Sequence, residues 1–170
     1  MIILVLGTPD SGKSEKAEEL VMELEPSEEK IYIATLVPFG DEGKRRVEKH
    51  RKMREGKGFI TLEKPTGVDD IADEVEDIAD KCCLLECMSN LVGNEMHEPS
   101  NVTLSDEELV AFITNQVIEL GRACGNLVVV SNRFPADEPD YDEDTKRYVM
   151  IANAVNEKLK EKVDKVYEIC

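Results

Sequence analysis

The chain has 170 residues, with 37 acidic against 21 basic side chains, a formal net charge of −16 and a pI near 4.5. That length predicts a single domain over residues 1–170 with a sizeable core, and the charge argues against nucleic acid as a partner, because phosphate backbones would be repelled. No apolar stretch approaches the ~20 residues that span a membrane, and the first apolar run is too short for a secretory leader, so a cytoplasmic protein is expected.

The first element is a continuous apolar strand, Ile2–Leu6. It runs into Gly7-Thr8-Pro9-Asp10-Ser11-Gly12-Lys13-Ser14, the pattern G-x-x-x-x-G-K-[ST]. A buried strand, a glycine-rich turn and an opening helix are the setting in which this pattern holds phosphate. Backbone N–H groups of the loop and the positive end of the helix converge on an anion. Lys13 reaches the outer phosphates, and the Ser14 hydroxyl can ligate a Mg2+ shared with them. The helix over 15–25 places Ala17, Leu20, Val21 and Leu24 on one face. A nucleoside triphosphate is therefore the expected ligand of Gly7–Ser14.

A second strand, Lys30–Thr35, leads to a helix over 42–54. Within Lys44–Arg54, Lys44, Arg45, Arg46, Lys49, Arg51, Lys52 and Arg54 make seven of the chain's 21 basic residues, against one acid, Glu48. Arg46, His50 and Arg54 stand at i, i+4 and i+8 and share a helical face. An imidazole there can attack phosphorus while the arginines neutralise phosphoryl charge. The competing reading is a solvated basic helix in which His50 is incidental.

After the strand Phe59–Leu62 and a helix over 67–80 comes the strand Cys82–Glu86. A buried strand that ends in an acid is hard to explain by packing, since unpaired buried charge is costly. Glu86 is thus the candidate carboxylate that completes the Mg2+ site with Ser14, with a local salt bridge as the alternative. Ser89 and Asn94, just beyond, can add hydrogen bonds at the same rim. Cys82 and Cys83 are adjacent on a strand and point to opposite faces, so they read, like Cys124, as small buried hydrophobes rather than a metal cage. His97 reads as a loop residue. The helix over 105–122 opens with the capping box Ser105–Glu108 and turns Leu109, Phe112, Ile113, Val117 and Leu120 inward. The strand Leu127–Ser131, an acidic loop over 135–144, a helix over 142–163 that buries Tyr148, Ile151, Ala152, Val155 and Leu159, and the strand Lys165–Ile169 complete the chain. Continuous apolar strands alternating with helices predict an α/β fold: a three-layer domain of the P-loop NTPase type, with a mostly parallel sheet and helices on both faces. Ligands then gather at the carboxyl ends of the strands.

With these pieces in order, the chain resembles the bifunctional adenosylcobinamide kinase / adenosylcobinamide-phosphate guanylyltransferase family. Ser11-Gly12-Lys13-Ser14 closes its phosphate loop, and Tyr32-Ile33-Ala34-Thr35 matches its second strand. Arg46-Val47-x-x-His50-Arg51-x-x-Arg54, followed by Thr61-x-Glu63, looks like its R-I-x-x-H-x-x-x-R … W-x-T-x-E, with Phe59 for the tryptophan. Leu84-Leu85-Glu86-Cys87-Met88-Ser89 through Asn94, Val128–Asn132 and Asn153–Asn156 match three further segments. Two departures stand out: Arg133-Phe134-Pro135 replaces E-V-G, and Asn153 replaces a glycine. The resemblance implies two reactions of cobalamin biosynthesis. A nucleoside triphosphate, GTP or ATP, phosphorylates the aminopropanol arm of the corrinoid adenosylcobinamide. A histidine matching His50 then takes GMP from GTP and passes it to the substrate phosphate. It also implies nucleotide contacts at Thr35, Arg46, Arg54 and Glu63, catalytic roles for His50 and Lys13, and a homotrimer. Two other readings stay open: a P-loop kinase or NTPase for another small molecule, without guanylyl transfer, and a nucleotide-binding regulatory protein.

Overall fold

The computed structural model describes residues 1–24, 29–37, 40–135 and 138–169. Strands β1 (Ile2–Gly7), β2 (Lys30–Ala34), β3 (Phe59–Glu63), β4 (Cys82–Glu86), β5 (Asn126–Asn132) and β6 (Lys165–Ile169) form one all-parallel sheet in the order β3-β2-β4-β5-β1-β6. The helices are α1 (Lys13–Leu24), α2 (Gly40–Arg54), α3 (Ile71–Glu74), α4 (Met88–Met96), α5 (Asp106–Ala123) and α6 (Glu143–Lys162).

Strand alternation divides the interior into two cores. Leu4, Ile33, Cys83, Leu85 and Val129 face one way and pack with Leu91 of α4, Ile113 and Val117 of α5 and Val155 and Leu159 of α6. Val5, Tyr32, Cys82, Leu84 and Val130 face the other way, onto Ala17, Leu20 and Val21 of α1. A sheet covered on both faces needs strands apolar at every position, and β1 and β4 are buried along their whole length. Each fully buried Leu, Ile or Val contributes about 1.5–3 kcal/mol, so these two layers dominate the stability of the fold. The predicted α/β class and helices on both faces are what is observed. No helix of the described residues is long and apolar enough to cross a membrane.

Three expectations are corrected. The helix over 67–80 is instead a 3-10 turn at Val68–Asp70, the single turn of α3 and a 3-10 turn at Ile78–Asp80. Val68, Ile71 and Ile78 are buried. However, the positions between them put acid four residues from acid at Asp69–Asp73, Asp70–Glu74, Asp73–Asp77 and Glu76–Asp80, and such pairs repel along a helix. Val75 turns extended and Asp77 takes a positive φ of 57°, which ends the run. Second, residues 88–96 form α4, for which Gly93 and two asparagines gave no helical signal. Third, Phe112 points to solvent at 42% exposure, while Leu109, Ile113, Val117 and Leu120 are buried. Of the acidic loop, Ala136 and Asp137 lie outside the described residues. Asp142 caps α6 by accepting the Thr145 N–H at 2.7 Å, and Glu143 and Asp144 occupy its first turn. These acids therefore favour the helix start through its positive end.

Candidate active site

Parallel pairing brings every strand's carboxyl end to one rim. Ala34 is in register with both Glu63 and Glu86, and Gly7 is in register with Asn132 and Ile169. The phosphate loop occupies the β1 end of that rim. A Cβ on Gly7 would sit 2.5 Å from Ser11 Oγ and 2.9 Å from the Ile169 carbonyl oxygen, so only glycine lets the loop fold back over the strand tip. Gly12 holds φ at +88°, a region that L side chains rarely adopt. Thr8, Pro9 and Asp10 are exposed. The buried Lys13 donates from Nζ to the Thr8 carbonyl at 3.3 Å and so lies along the loop it serves. Burial lowers its pKa, nearby Cys87, Glu86 and Asp10 pull it back up, and Arg46 lowers it further.

Glu86 stands at the β4 tip and is only 8% exposed. Strand geometry explains its first partner. Leu84 and Glu86 point to the same face, and Tyr32 lies opposite Leu84, so its long side chain reaches diagonally to the carboxylate. The Tyr32 hydroxyl donates to Glu86 Oε2 at 3.0 Å. His50 Nδ1 meets the same oxygen at 2.8 Å, with the imidazole 26% exposed. Burial alone raises the Glu86 pKa, but the hydrogen bond and charge of His50, then the hydroxyls of Tyr32 and Ser14, outweigh it. The carboxyl is held below its usual range. Burial, followed by the Glu86 charge, raises the pKa of the Tyr32 phenol, which stays a donor.

The other predicted residues separate into distinct places. Arg54 does not flank His50 in solvent. It is buried, its guanidinium lies 3.4 Å over the Tyr32 ring, and Nη2 donates to Thr61 Oγ1 at 3.3 Å. Arg46 is exposed and close enough to act on Lys13. Glu63, at the exposed edge-strand tip, pairs with Arg51 at 3.8 Å. Thr35 is fully buried, and its hydroxyl donates to the Cys87 carbonyl and accepts the Cys87 N–H, both at 2.8 Å. Thr35 thereby ties the β2 exit to the residue after Glu86. Asn94 donates to the carbonyls of Thr35 and Pro65 at 2.8 and 2.9 Å, and Ser89 Oγ accepts the Asn132 N–H at 3.3 Å. Both therefore brace the rim. His97 is exposed at the end of α4.

Sequence reasoning gave Tyr32 no role. Its one legible sign was a hydroxyl-bearing aromatic between the aliphatic Ile31 and Ile33 of the strand. The β5 exit also differs from expectation in a coordinated way. Asn153 donates to the Phe134 carbonyl at 3.2 Å, Asn156 donates to the Asn132 carbonyl at 3.0 Å, and Arg133 N–H bonds the Gly7 carbonyl at 2.9 Å. The Asn153 side chain thus stabilises the backbone path that Arg133-Phe134-Pro135 takes beside the phosphate loop.

The donor set fits a divalent cation. Glu86 Oε1 is buried and has no hydrogen-bond partner among the described residues, while the neighbouring Ser14 hydroxyl acts on the same carboxyl. A hard cation takes such oxygens and leaves its remaining positions to water and phosphate.

No curated protein sequence matches the chain. Among solved structures, one described as the ATPase domain of G40P aligns with a TM-score of 0.60, covering 98% of this chain and 68% of that chain at 10% sequence identity. This likeness is one of fold. The sequence profile of a family described as "Cobinamide kinase / cobinamide phosphate guanyltransferase" matches residues 3–170. With nearly its whole length covered, the chain belongs to that family of cobalamin biosynthesis, which phosphorylates adenosylcobinamide and transfers a guanylyl group to the product.

Proposed function

We propose that one rim of this sheet serves both reactions of the family, with His50 as the residue that carries GMP between them. Gly7–Ser14 hold the triphosphate through backbone N–H groups, and Lys13 neutralises charge that develops on the transferred phosphoryl group. Ser14 and Glu86 would hold Mg2+, which neutralises phosphate charge and orients the chain of phosphates. Arg46, exposed and near Lys13, adds positive charge on the α2 side of the loop. The aminopropanol hydroxyl of adenosylcobinamide attacks the terminal phosphorus in the first reaction. In the second, His50 attacks the α-phosphorus of GTP, pyrophosphate leaves, and the substrate phosphate then takes the GMP from the imidazole.

The contact between His50 Nδ1 and Glu86 Oε2 at 2.8 Å carries this reading. It puts the imidazole at the strand tips beside the phosphate loop, rather than on the solvated side of a basic helix. A contact of Glu63 with nucleotide, a homotrimeric assembly, a single domain over the full chain and a cytoplasmic location belong to the same proposal, whereas the fully buried Thr35, its hydroxyl spent on Cys87, braces the rim instead of meeting nucleotide. The test is mass spectrometry of the protein after exposure to GTP and Mg2+. An adduct of GMP mass on His50, lost in acid and stable in base, is the expected result. A protein that turns over nucleotide without ever gaining that adduct would instead be a small-molecule kinase alone.

A further inference from the structure

Glu86 uses its two oxygens differently. Oε2 takes both the Tyr32 hydroxyl and His50 Nδ1, while Oε1 has no hydrogen-bond partner among the described residues. The two partners of Oε2 come from unlike places. Tyr32 belongs to β2 and is 5% exposed, with Arg54 stacked on its face and Phe59 edge-on at 6.4 Å. His50 belongs to α2, a fifteen-residue helix whose one buried residue is Arg54. The imidazole is 26% exposed and projects from the helix onto a carboxylate that is itself held from the sheet side.

We infer that Tyr32 is a positioning residue for guanylyl transfer, fixing the Glu86 carboxylate that grips His50 by Nδ1, so that Nε2 is the nitrogen that receives GMP. The inference rests on the guanylyl-transfer reading above and specifies its geometry. A carboxylate only accepts, so the nitrogen facing Glu86 carries the proton, and in the neutral ring that attacks phosphorus the lone pair is on Nε2. That pair attacks the α-phosphorus of GTP. The N–P bond forms as the bond from phosphorus to the bridging oxygen breaks, and pyrophosphate departs with the bonding electrons. The Nδ1 proton stays where it is, facing Glu86. In the return step the oxygen of the substrate phosphate attacks, the N–P bond breaks, and its electrons return to Nε2. Attachment at Nδ1 would first require the ring to leave Glu86.

The experiment uses the full chain labelled with 15N-histidine. After GTP and Mg2+, coupling between phosphorus and nitrogen identifies the bonded atom: Nε2 is expected, and an Nδ1 adduct overturns the inference without needing any variant. In Tyr32→Phe, kcat for adduct formation should fall about tenfold, the scale of losing a second hydrogen-bonding shell, with KM for GTP changed by less than about twofold. In the nucleotide-free protein, the Nδ1–H resonance of His50 should shift or vanish in the same variant. An undiminished rate with an unchanged resonance overturns the role of Tyr32. If the unmodified protein forms no adduct at all, the guanylyl-transfer reading falls and takes this one with it. An adduct that forms equally fast in both proteins removes only Tyr32.

Discussion

At the β4 tip a single carboxylate bonds the imidazole and the phenol, the phosphate-loop serine lies near enough to act on it, and its charge state is where pH enters. The folded protein holds Glu86 below its ordinary value of 4.5 despite burial. Near that pH the unfolded chain binds a proton that the native state refuses, so stability rises with pH there. This contribution is complete above about pH 4.5 and is lost as pH falls through the lower folded value. Glu86→Gln keeps the size and removes the titration. Its Tm should decline less steeply than that of the unmodified protein on acidification below about pH 4.5, as read by circular dichroism melts. An identical slope would mean that other carboxylates dominate. If Glu86 holds Mg2+ as proposed, the same variant should lower Mg2+-dependent phosphoryl transfer roughly 10–100-fold, and its weaker grip on His50 should slow guanylyl transfer as well. Arg54 gives a contrasting lesson. Its spacing from His50 pointed at phosphate, but stacking on Tyr32 and bonding to Thr61 make it the platform beneath the site.

Helix α5 is the best-specified element of the chain. Ser105 accepts the Glu108 N–H at 3.1 Å, and the Glu108 side chain returns to the Ser105 N–H at 3.0 Å, both as the local sequence predicts. Replacing Ser105 by Ala should cost about 1 kcal/mol and lower Tm by about 2–4 °C, while leaving nucleotide affinity unchanged. Isothermal titration beside thermal melts checks both. Helix α4 was illegible for the opposite reason. It has no side-chain cap, and it holds its place through tertiary bonds such as Asn94 to the Thr35 and Pro65 carbonyls. The 67–80 segment shows that helical spacing of apolar residues identifies what is buried without guaranteeing a helix. Repulsion between acids a turn apart, together with the Val68 N–H bonded to Gln116 of α5 at 3.2 Å, favours short turns there.

For the whole molecule, strand order decides function. β5 lies between β4 and β1, so Glu86 and the phosphate loop are two strand positions apart on one rim and can share a ligand. The net charge of −16 acts on the same scale. Self-repulsion opposes compaction and is screened by salt, so Tm should rise as NaCl is raised from about 0.05 to 0.5 M. A falling Tm in differential scanning fluorimetry would show that surface pairs such as Lys160 with Glu168 outweigh the repulsion.

The sequence by itself determined the α/β layering, because runs of apolar neighbours and helical periodicity are local properties. It also determined the phosphate loop, whose chemistry lies within eight consecutive residues. Tertiary structure alone decided which side chains meet at Glu86. Tyr32, His50 and Glu86 come from a strand, a helix and another strand, and only sheet register and the seating of α2 bring them within hydrogen-bonding distance. Spacing along one helix placed Arg46, His50 and Arg54 on a common face, but what each would face depended on neighbours that no local pattern records.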